Sequence, residues 1–210
     1  MRYIPLVLFI CFSLSLCNLT NRFRKSSEPG SNSSSGSNSG RSDSAAEPAR
    51  PTAAQMAALA GGQPAQWDVQ GMSWTVPANW TEESKELLQL LWRSPGGGDA
   101  ASLIVSISPM DESFPTEISL QSYYDQQKTA AKNGQVDEYN WVEIDGVKGV
   151  QFREVKPPRP DDIRRLHWIT YRKFAGQVQY VNVMLASSAK GFEQHQDEMY
   201  GVLYSTKLIH

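Results

Sequence analysis

The sequence predicts an α+β fold in which an antiparallel sheet of about six to seven strands is flanked by helices. Three observations carry this prediction. Most apolar stretches alternate with a period of two, short turn dipeptides join them into hairpins, and only two longer segments show helical spacing. Strands that follow one another through short turns pair antiparallel, whereas parallel strands need a long crossover connection. The predicted order is strands, one helix, four strands and a final helix.

The first part of the folded region is predicted to contain strands joined by one clear hairpin. Residues 72–76 alternate apolar and polar side chains, as a half-buried strand does. Residues 87–94 and 101–109 flank a Pro-Gly-Gly-Gly-Asp turn and form the hairpin. Residues 81–91 also suit the start of a helix, because a threonine N-cap precedes two glutamates. The strand from about residue 87 is the preferred interpretation.

The second part is predicted to contain two further hairpins between two helices. Residues 116–132 show helical spacing and end at Asn133-Gly134. The hairpins follow, and they consist of 136–144 with 149–156, turning at Asp145-Gly146, and 163–174 with 177–186, turning at Ala175-Gly176. Ser188 is the predicted cap of a last helix with one apolar face, made of Phe192, His195, Met199, Val202 and Leu203. Several positions on both faces of the last strands are apolar, so the centre of the sheet is expected to be covered on both sides.

Composition and charge exclude some classes of protein. The 210 residues contain 20 Lys and Arg against 22 Asp and Glu, and the mean hydropathy is −0.44. This balance argues against a polybasic nucleic-acid binder and against a multispanning membrane protein. Both cysteines, Cys11 and Cys17, lie within the first seventeen residues. The rest of the chain therefore has no disulfide, no thiolate nucleophile and no cysteine metal ligand.

Residues 1–17 are predicted to be a signal peptide or a lipoprotein signal. The apolar run from residue 4 to residue 17 has fourteen residues, which is shorter than the roughly 20 that a spanning helix needs. The sequence Leu14-Ser15-Leu16-Cys17 resembles a lipobox, except that Leu16 stands where a small residue is usual. Three alternatives are open: lipidation at Cys17, cleavage without a lipid, and an uncleaved anchor.

The remaining chain divides into a predicted disordered tether, residues 18–66, and a folded domain, residues 67–210. Residues 26–44 contain ten Ser, three Gly and two Asn, which cannot build a core, and an Ala/Pro-rich stretch follows. A flexible coil of about 40 residues spans roughly 35 Å. All six tryptophans lie in the folded part, which carries 14 Lys and Arg against 19 Asp and Glu.

Five features occur in a fixed order over residues 68–208. They are Val76-Pro77-Ala78-Asn79-Trp80, a helix from Ser119, the phrase from Val142 to Gly149, paired strands through Tyr171 and Tyr180, and a closing Phe192 helix that ends at Ser205-Thr206-Lys207. Together they resemble the Mog/PsbP/DcrB-type domains. The resemblance implies an α/β/α sandwich that serves as a binding or assembly module, and it offers no shared catalytic residues.

The chemistry-bearing residues give little support for an enzyme. His167 and His195 have no partner at metal-ligand spacing, and no nucleophile turn accompanies them. The acid pairs Asp111-Glu112 and Asp161-Asp162 lack a calcium-loop pattern. We therefore expect no metal and no cofactor, although a dispersed Ser/His/Asp site remains an alternative because its members need not be close in sequence.

The most unusual feature is a basic stretch between residues 153 and 173, with a local net charge of +4. Side chains from neighbouring strands on one face would dock an acidic partner or an anionic glycan. The candidate binding residues are Arg153, Arg164, Arg165, Trp168 and Arg172, with the tryptophan adding a stacking contact. The alternative is a solvated edge whose cations discourage aggregation.

These observations favour a non-enzymatic binding or assembly module that is exported and anchored in the cell envelope. Its expected partner is another envelope protein or an anionic ligand, with no nucleic acid and with membrane contact through the N-terminal anchor only. Two alternatives are a hydrolase with a dispersed Ser/His/Asp site and an accessory subunit of an envelope secretion or transport complex.

Overall fold

The structure is a computed structural model that describes residues 46–209, all of which belong to one compact unit of the chain. The predicted signal segment, Cys17 and residues 18–45 of the predicted tether lie outside the described residues. Within residues 46–209, no helix combines the length and the apolar character that crossing a membrane requires.

Two sheets carry the fold. From one edge to the other, the larger sheet contains β1 (Glu47–Pro48), β7 (Val136–Ile144), β8 (Val147–Glu154), β9 (Ile163–Phe174), β10 (Gln177–Ser188), β6 (Ser102–Met110), β5 (Gln89–Arg93) and β4 (Thr81–Lys85). All neighbours pair antiparallel except β1, which is parallel to β7. The smaller sheet contains, in order, β11 (Lys207–Leu208), β3 (Met72–Val76) and β2 (Gln63–Trp67). The predicted α+β fold is confirmed, with slightly more strands than expected.

The described residues also form three α-helices: α1 (Ala53–Ala58), α2 (Thr116–Lys132) and α3 (Ala189–Tyr204). Helix α2 lies on one face of the larger sheet, against β7, β8 and β9. Helix α3 lies on the other face with the smaller sheet, and α1 packs against α3. The Ser188 hydroxyl accepts from the Gly191 amide at 2.9 Å, as predicted for the cap of α3.

Strand β9 shows why the centre of the sheet is apolar on both faces. Leu166 and Trp168 are fully buried in the larger core, between the sheet, α3 and the smaller sheet. Ile169 and Tyr171 belong to the second core, under α2. Successive side chains of a strand point to opposite faces, so one strand supplies both cores.

Residues 81–85 form a strand, and the helix considered for residues 81–91 is wrong. Strand β4 pairs with β5, and the turn between them holds Leu87, which is 68% exposed. The helix signal was local, a cap and two acids, whereas pairing with β5 satisfies the backbone of the whole segment. The strand predicted from about residue 87 begins at Gln89.

The folded part also begins earlier than the boundary predicted at residue 67. Strand β1 pairs with β7, β2 pairs with β3, and Ala65 is fully buried. Helix α1 starts with a capping box between Thr52 and Gln55 and crosses α3 at Gly201, where a larger residue would meet the α1 backbone. The close contact between the two helices depends on Gly201 of α3, which lies against Gln55 and Leu59.

Gly149 on β8 leaves the space that the indole ring of the buried Trp168 occupies. A Cβ atom at residue 149 would overlap the indole ring of Trp168 and lie 2.7 Å from the Ile169 carbonyl oxygen. The Trp168 Nε1 donates to the Val142 carbonyl oxygen at 3.3 Å, which holds the ring in this place. The core therefore has no room for a side chain at residue 149.

We predict that Gly149→Ala lowers the free energy of unfolding by about 1–3 kcal/mol, because the ring and the backbone must shift to admit the methyl group. Urea unfolding of the full chain measures the change. The matched control is Gly98→Ala, where a Cβ atom meets nothing within 4 Å, and we expect a change below about 0.5 kcal/mol. Equal stability of the two variants would contradict this packing account.

Candidate functional site

Two of the predicted binding residues, Arg153 and Arg164, are bound within the protein. Both contact Asp137: Arg153 Nε lies 2.7 Å from its Oδ1, and Arg164 Nη2 lies 2.5 Å from its Oδ2. Arg153 also contacts Glu138 and the Tyr200 hydroxyl. Burial raises the pKa of Tyr200, and so does the hydrogen bond that the Tyr200 hydroxyl donates to the Glu138 carboxylate. This network stabilises the junction of β7, β8, β9 and α3.

The other three predicted binding residues lie elsewhere. Arg165 points to the opposite face of β9 and pairs with Glu154 at 3.1 Å. Trp168 has no exposed surface, so it is closed to a ligand. Arg172 lies eight residues beyond Arg164 along the strand. The five predicted binding residues therefore do not share one exposed surface. The prediction of a single binding face is wrong for Arg153, Arg164, Arg165, Trp168 and Arg172.

Arg172 has a structural role at the far end of the sheet. It is 8% exposed, it donates to Gln179 Oε1 at 3.0 Å and to the Gln70 carbonyl oxygen, and no carboxylate in the described residues pairs with it. Burial lowers the pKa of Arg172 to about 10. Gln70 in turn donates to the Leu87 carbonyl oxygen at 2.6 Å. The buried cation thus fixes two loops.

His167 and His195 each contact other side chains of the domain. His167 is half-buried and stacks on Phe152 with ring centroids 4.5 Å apart, and its Nδ1 lies 3.1 Å from Asn182 Oδ1. His195 Nδ1 lies 2.8 Å from Glu198 Oε2. Among residues 46–209, no serine or threonine hydroxyl is hydrogen-bonded to either imidazole, and no three His, Cys, Asp or Glu side chains cluster as metal ligands.

A groove that the sequence did not reveal lies between α2 and the larger sheet. Helix α2 covers β7, β8 and β9, and the groove runs along the side of the helix that faces β10 and β6. Its volume is about 740 Å³, within the usual range for ligand sites. Four aromatic residues line the groove: Phe114, Tyr123, Tyr171 and Tyr180.

The aromatic rings of the groove form a continuous cluster. Tyr171 and Tyr180 are opposite one another in the β9–β10 register, and their ring centroids are 5.6 Å apart. Phe114 lies 5.4 Å from Tyr171, and Tyr123 stacks 5.8 Å from Tyr180. Burial raises the pKa of Tyr171 and of Tyr180, so both phenols are neutral at physiological pH. The cluster presents ring faces and hydroxyl groups without charge.

The rim of the groove is uncharged and has polar side chains beside the exposed Ile118. Ser108 comes from β6, and Ser122 and Gln126 come from α2, where all three side chains are exposed. None of the side chains that line the groove in the described part of the chain is charged or is a histidine. The site is therefore suited to a neutral ligand with an apolar face.

The sequence contained part of the signal for this groove. Tyr171 and Tyr180 are equally distant from the Ala175-Gly176 turn, which places them opposite each other in a hairpin. Ile118, Ser122 and Gln126 recur at four-residue spacing on α2. The missing information was which strands α2 covers, because that packing depends on contacts distant in sequence.

The fold and the site define an α+β domain with an aromatic groove on the α2 face of its sheet. No protein-family profile matches the sequence, and no curated protein is similar to it. Solved structures are similar in fold. LpqN, a Mycobacterium tuberculosis protein involved in cell envelope biogenesis, has a TM-score of 0.52 and 10% identity, covering 71% of this chain and 86% of LpqN.

Two further structures are similar at lower scores. The cyanobacterial PsbP of Synechocystis sp. PCC 6803 has a TM-score of 0.46 and 12% identity, covering 70% of this chain and 92% of its own. A Bacteroides thetaiotaomicron protein has the same score and 12% identity over 71% of this chain, which spans only 49% of that protein. The predicted resemblance to Mog/PsbP/DcrB-type domains is confirmed at the level of fold.

We predict that His167 makes the protein less stable in weak acid. Burial lowers the pKa of His167 in the folded state, so below its ordinary value of 6.5 the unfolded chain binds the proton more readily. The free energy of unfolding of the full chain should therefore decrease from pH 7.5 to pH 5.5. Urea unfolding at both values should show a smaller decrease in His167→Gln. The control His195→Gln keeps His167 and should retain the full decrease, and an undiminished decrease in His167→Gln would contradict the prediction.

Proposed function

We propose that this protein is a non-enzymatic binding module of the cell envelope and that the groove between α2 and the sheet is its ligand site. The observation that carries the proposal is the cluster of four aromatic rings in an open, uncharged groove of about 740 Å³. A contiguous patch of partly exposed apolar and aromatic surface often marks a ligand groove, whereas scattered single residues do not.

The N-terminal sequence supports a location in the envelope. A fourteen-residue apolar run precedes a segment rich in serine, glycine and asparagine, and Cys17 stands at the junction. We propose that the run directs export and that Cys17 carries a lipid.

The environments of the histidines favour binding over hydrolysis. A serine hydrolase needs a hydroxyl within hydrogen-bond reach of its imidazole, whereas His167 contacts an amide and a phenyl ring and His195 contacts a carboxylate. Three of the four cations predicted to meet an anionic partner, Arg153, Arg164 and Arg165, are paired with Asp137, Glu138 and Glu154, and the fourth, Arg172, is buried against Gln179 and Gln70. A neutral ligand or an uncharged segment of another envelope protein fits the groove better than an anion.

We predict that Ile118→Glu weakens binding of the uncharged dye Nile red by about tenfold. Ile118 is 71% exposed at the rim, so the substitution leaves the fold intact but places a charge beside an apolar ligand. Fluorescence titration of the full chain in lipid nanodiscs measures the affinity. The control is Met56→Glu, which changes another exposed apolar helix residue outside the groove. Dye dissolved in the bilayer adds the same background fluorescence to both variants. Equal affinity in the two variants would exclude the groove as the site.

We also predict that Cys17 is the point of lipid attachment. Metabolic labelling of cells with a clickable fatty acid should mark the wild-type chain, and Cys17→Ser should lose the label because the acceptor thiol is gone. Cys11→Ser is the control and should keep it. Unchanged label in Cys17→Ser would exclude lipidation at this residue.

A further inference from the structure

We infer that the groove binds a neutral oligosaccharide chain. This inference rests on the proposed function, because it assumes that the groove is the ligand site, and it adds the chemical class of the ligand. Three features of the described residues carry it: the aromatic rings, the unpaired neutral polar groups at the rim, and an uncovered polar strip of sheet that continues the groove.

The aromatic rings provide surfaces on which a sugar ring can stack. One face of a pyranose ring consists of C–H groups, which pack against the face of an aromatic ring, while its hydroxyl groups point sideways. Tyr123, Tyr171 and Tyr180 are all half-buried, so their rings are held in place and still have exposed surface. Held aromatic side chains bind with little loss of conformational entropy.

The rim supplies hydrogen-bonding groups that an alkyl chain would leave unused. The side chains of Ser108, Ser122 and Gln126 have no hydrogen-bond partner within residues 46–209. Hydroxyl and amide groups both donate and accept, which matches the hydroxyl groups of a saccharide. A purely aliphatic ligand would instead cover these groups without pairing them, which is unfavourable. The rim therefore favours a sugar over a fatty acyl chain.

The groove continues onto a strip of sheet that α2 does not cover. Ser106 lies opposite Asn182 in the β6–β10 register, on the same face as the opposed pair of Ser108 and Tyr180. Asn182 Oδ1 is engaged with His167, which leaves its amide nitrogen to donate to a ligand. The next pair, Ile104 and Met184, is only half-buried. These two pairs extend the same face of the sheet beyond the groove, with polar groups to hydrogen-bond a sugar unit and apolar groups to pack against it.

The absence of charge from the lining selects a neutral chain. An acidic saccharide or a phosphate group would leave water for a site where no cationic side chain lines the groove in the described residues. Removing a charge from water without a partner costs several kcal/mol. Among the neighbouring strand cations, Arg165 pairs with Glu154, Arg172 faces the other core, and Lys173, on the same face as Tyr171, does not line the groove.

Isothermal titration calorimetry of the full chain in nanodiscs tests the inference. The neutral probes are cellohexaose, maltohexaose and chitohexaose, and hexagalacturonate is the acidic chain of equal length. We expect at least one neutral chain to bind, and Tyr171→Ala to weaken it about tenfold because a stacking surface is lost. Tyr139→Ala is the matched control, since Tyr139 is a half-buried strand tyrosine on the same face that packs on Tyr124 outside the groove, and its affinity should change less than about twofold.

A second variant keeps the test valid if Tyr171→Ala fails to fold. Gln126 is exposed, so Gln126→Ala preserves the fold, and we expect affinity about threefold weaker through loss of a hydrogen bond. Binding of hexagalacturonate as tight as that of a neutral chain would overturn the inference, as would neutral binding that is unchanged in both groove variants. If no neutral chain binds while Nile red binding still depends on Ile118, the groove remains a ligand site and the saccharide inference alone is wrong.

Discussion

The pairing of β9 with β10 is the constraint on which the rest of the structure depends. The two strands are joined at Ala175-Gly176 and pair over twelve residues, from Phe174 with Gln177 to Ile163 with Ser188. This register places Trp168 beside Val183 in the larger core and Tyr171 beside Tyr180 on the other face. A slip of one residue would exchange the faces, so one register sets both the main core and the groove.

As a result, one face of the larger sheet is closed over by the core and the other is only partly covered. On one face, α3 and the smaller sheet close over the core, and buried polar groups such as Arg172 and the network around Asp137 hold its ends. Within the described residues, Arg172 pairs with no carboxylate, and its hydrogen bonds to Gln179 and to the Gln70 carbonyl oxygen offset the cost of burying its charge. On the other face, α2 covers only part of the sheet. The open part is where binding can occur without disturbing the core.

Much of the fold was predictable because its signals are local. The hairpin turns, the bounds of α2 and the Ser188 cap all lie within a few residues of the elements that they define. Strand β4 and residues 46–66 were misjudged, because distant partners decide their structure. The candidate site is wrong for the same reason: the sequence shows four arginines and one tryptophan between residues 153 and 172, but not that Asp137 and Glu138 neutralise Arg153. The groove combines one helix with three strands, and the sequence shows the opposed tyrosines and the spacing on α2 but not that they meet.

The central claim is that a ligand occupies the groove that the β9–β10 register creates. Hydrogen–deuterium exchange of the full chain, with and without a saturating neutral hexasaccharide, tests this directly. The account predicts slower exchange in α2 residues 116–126 and in the segments around Phe114, Tyr171 and Tyr180, with α3 unchanged. Slower exchange confined to α3 and to the strand ends around Arg153 and Arg164 would contradict it.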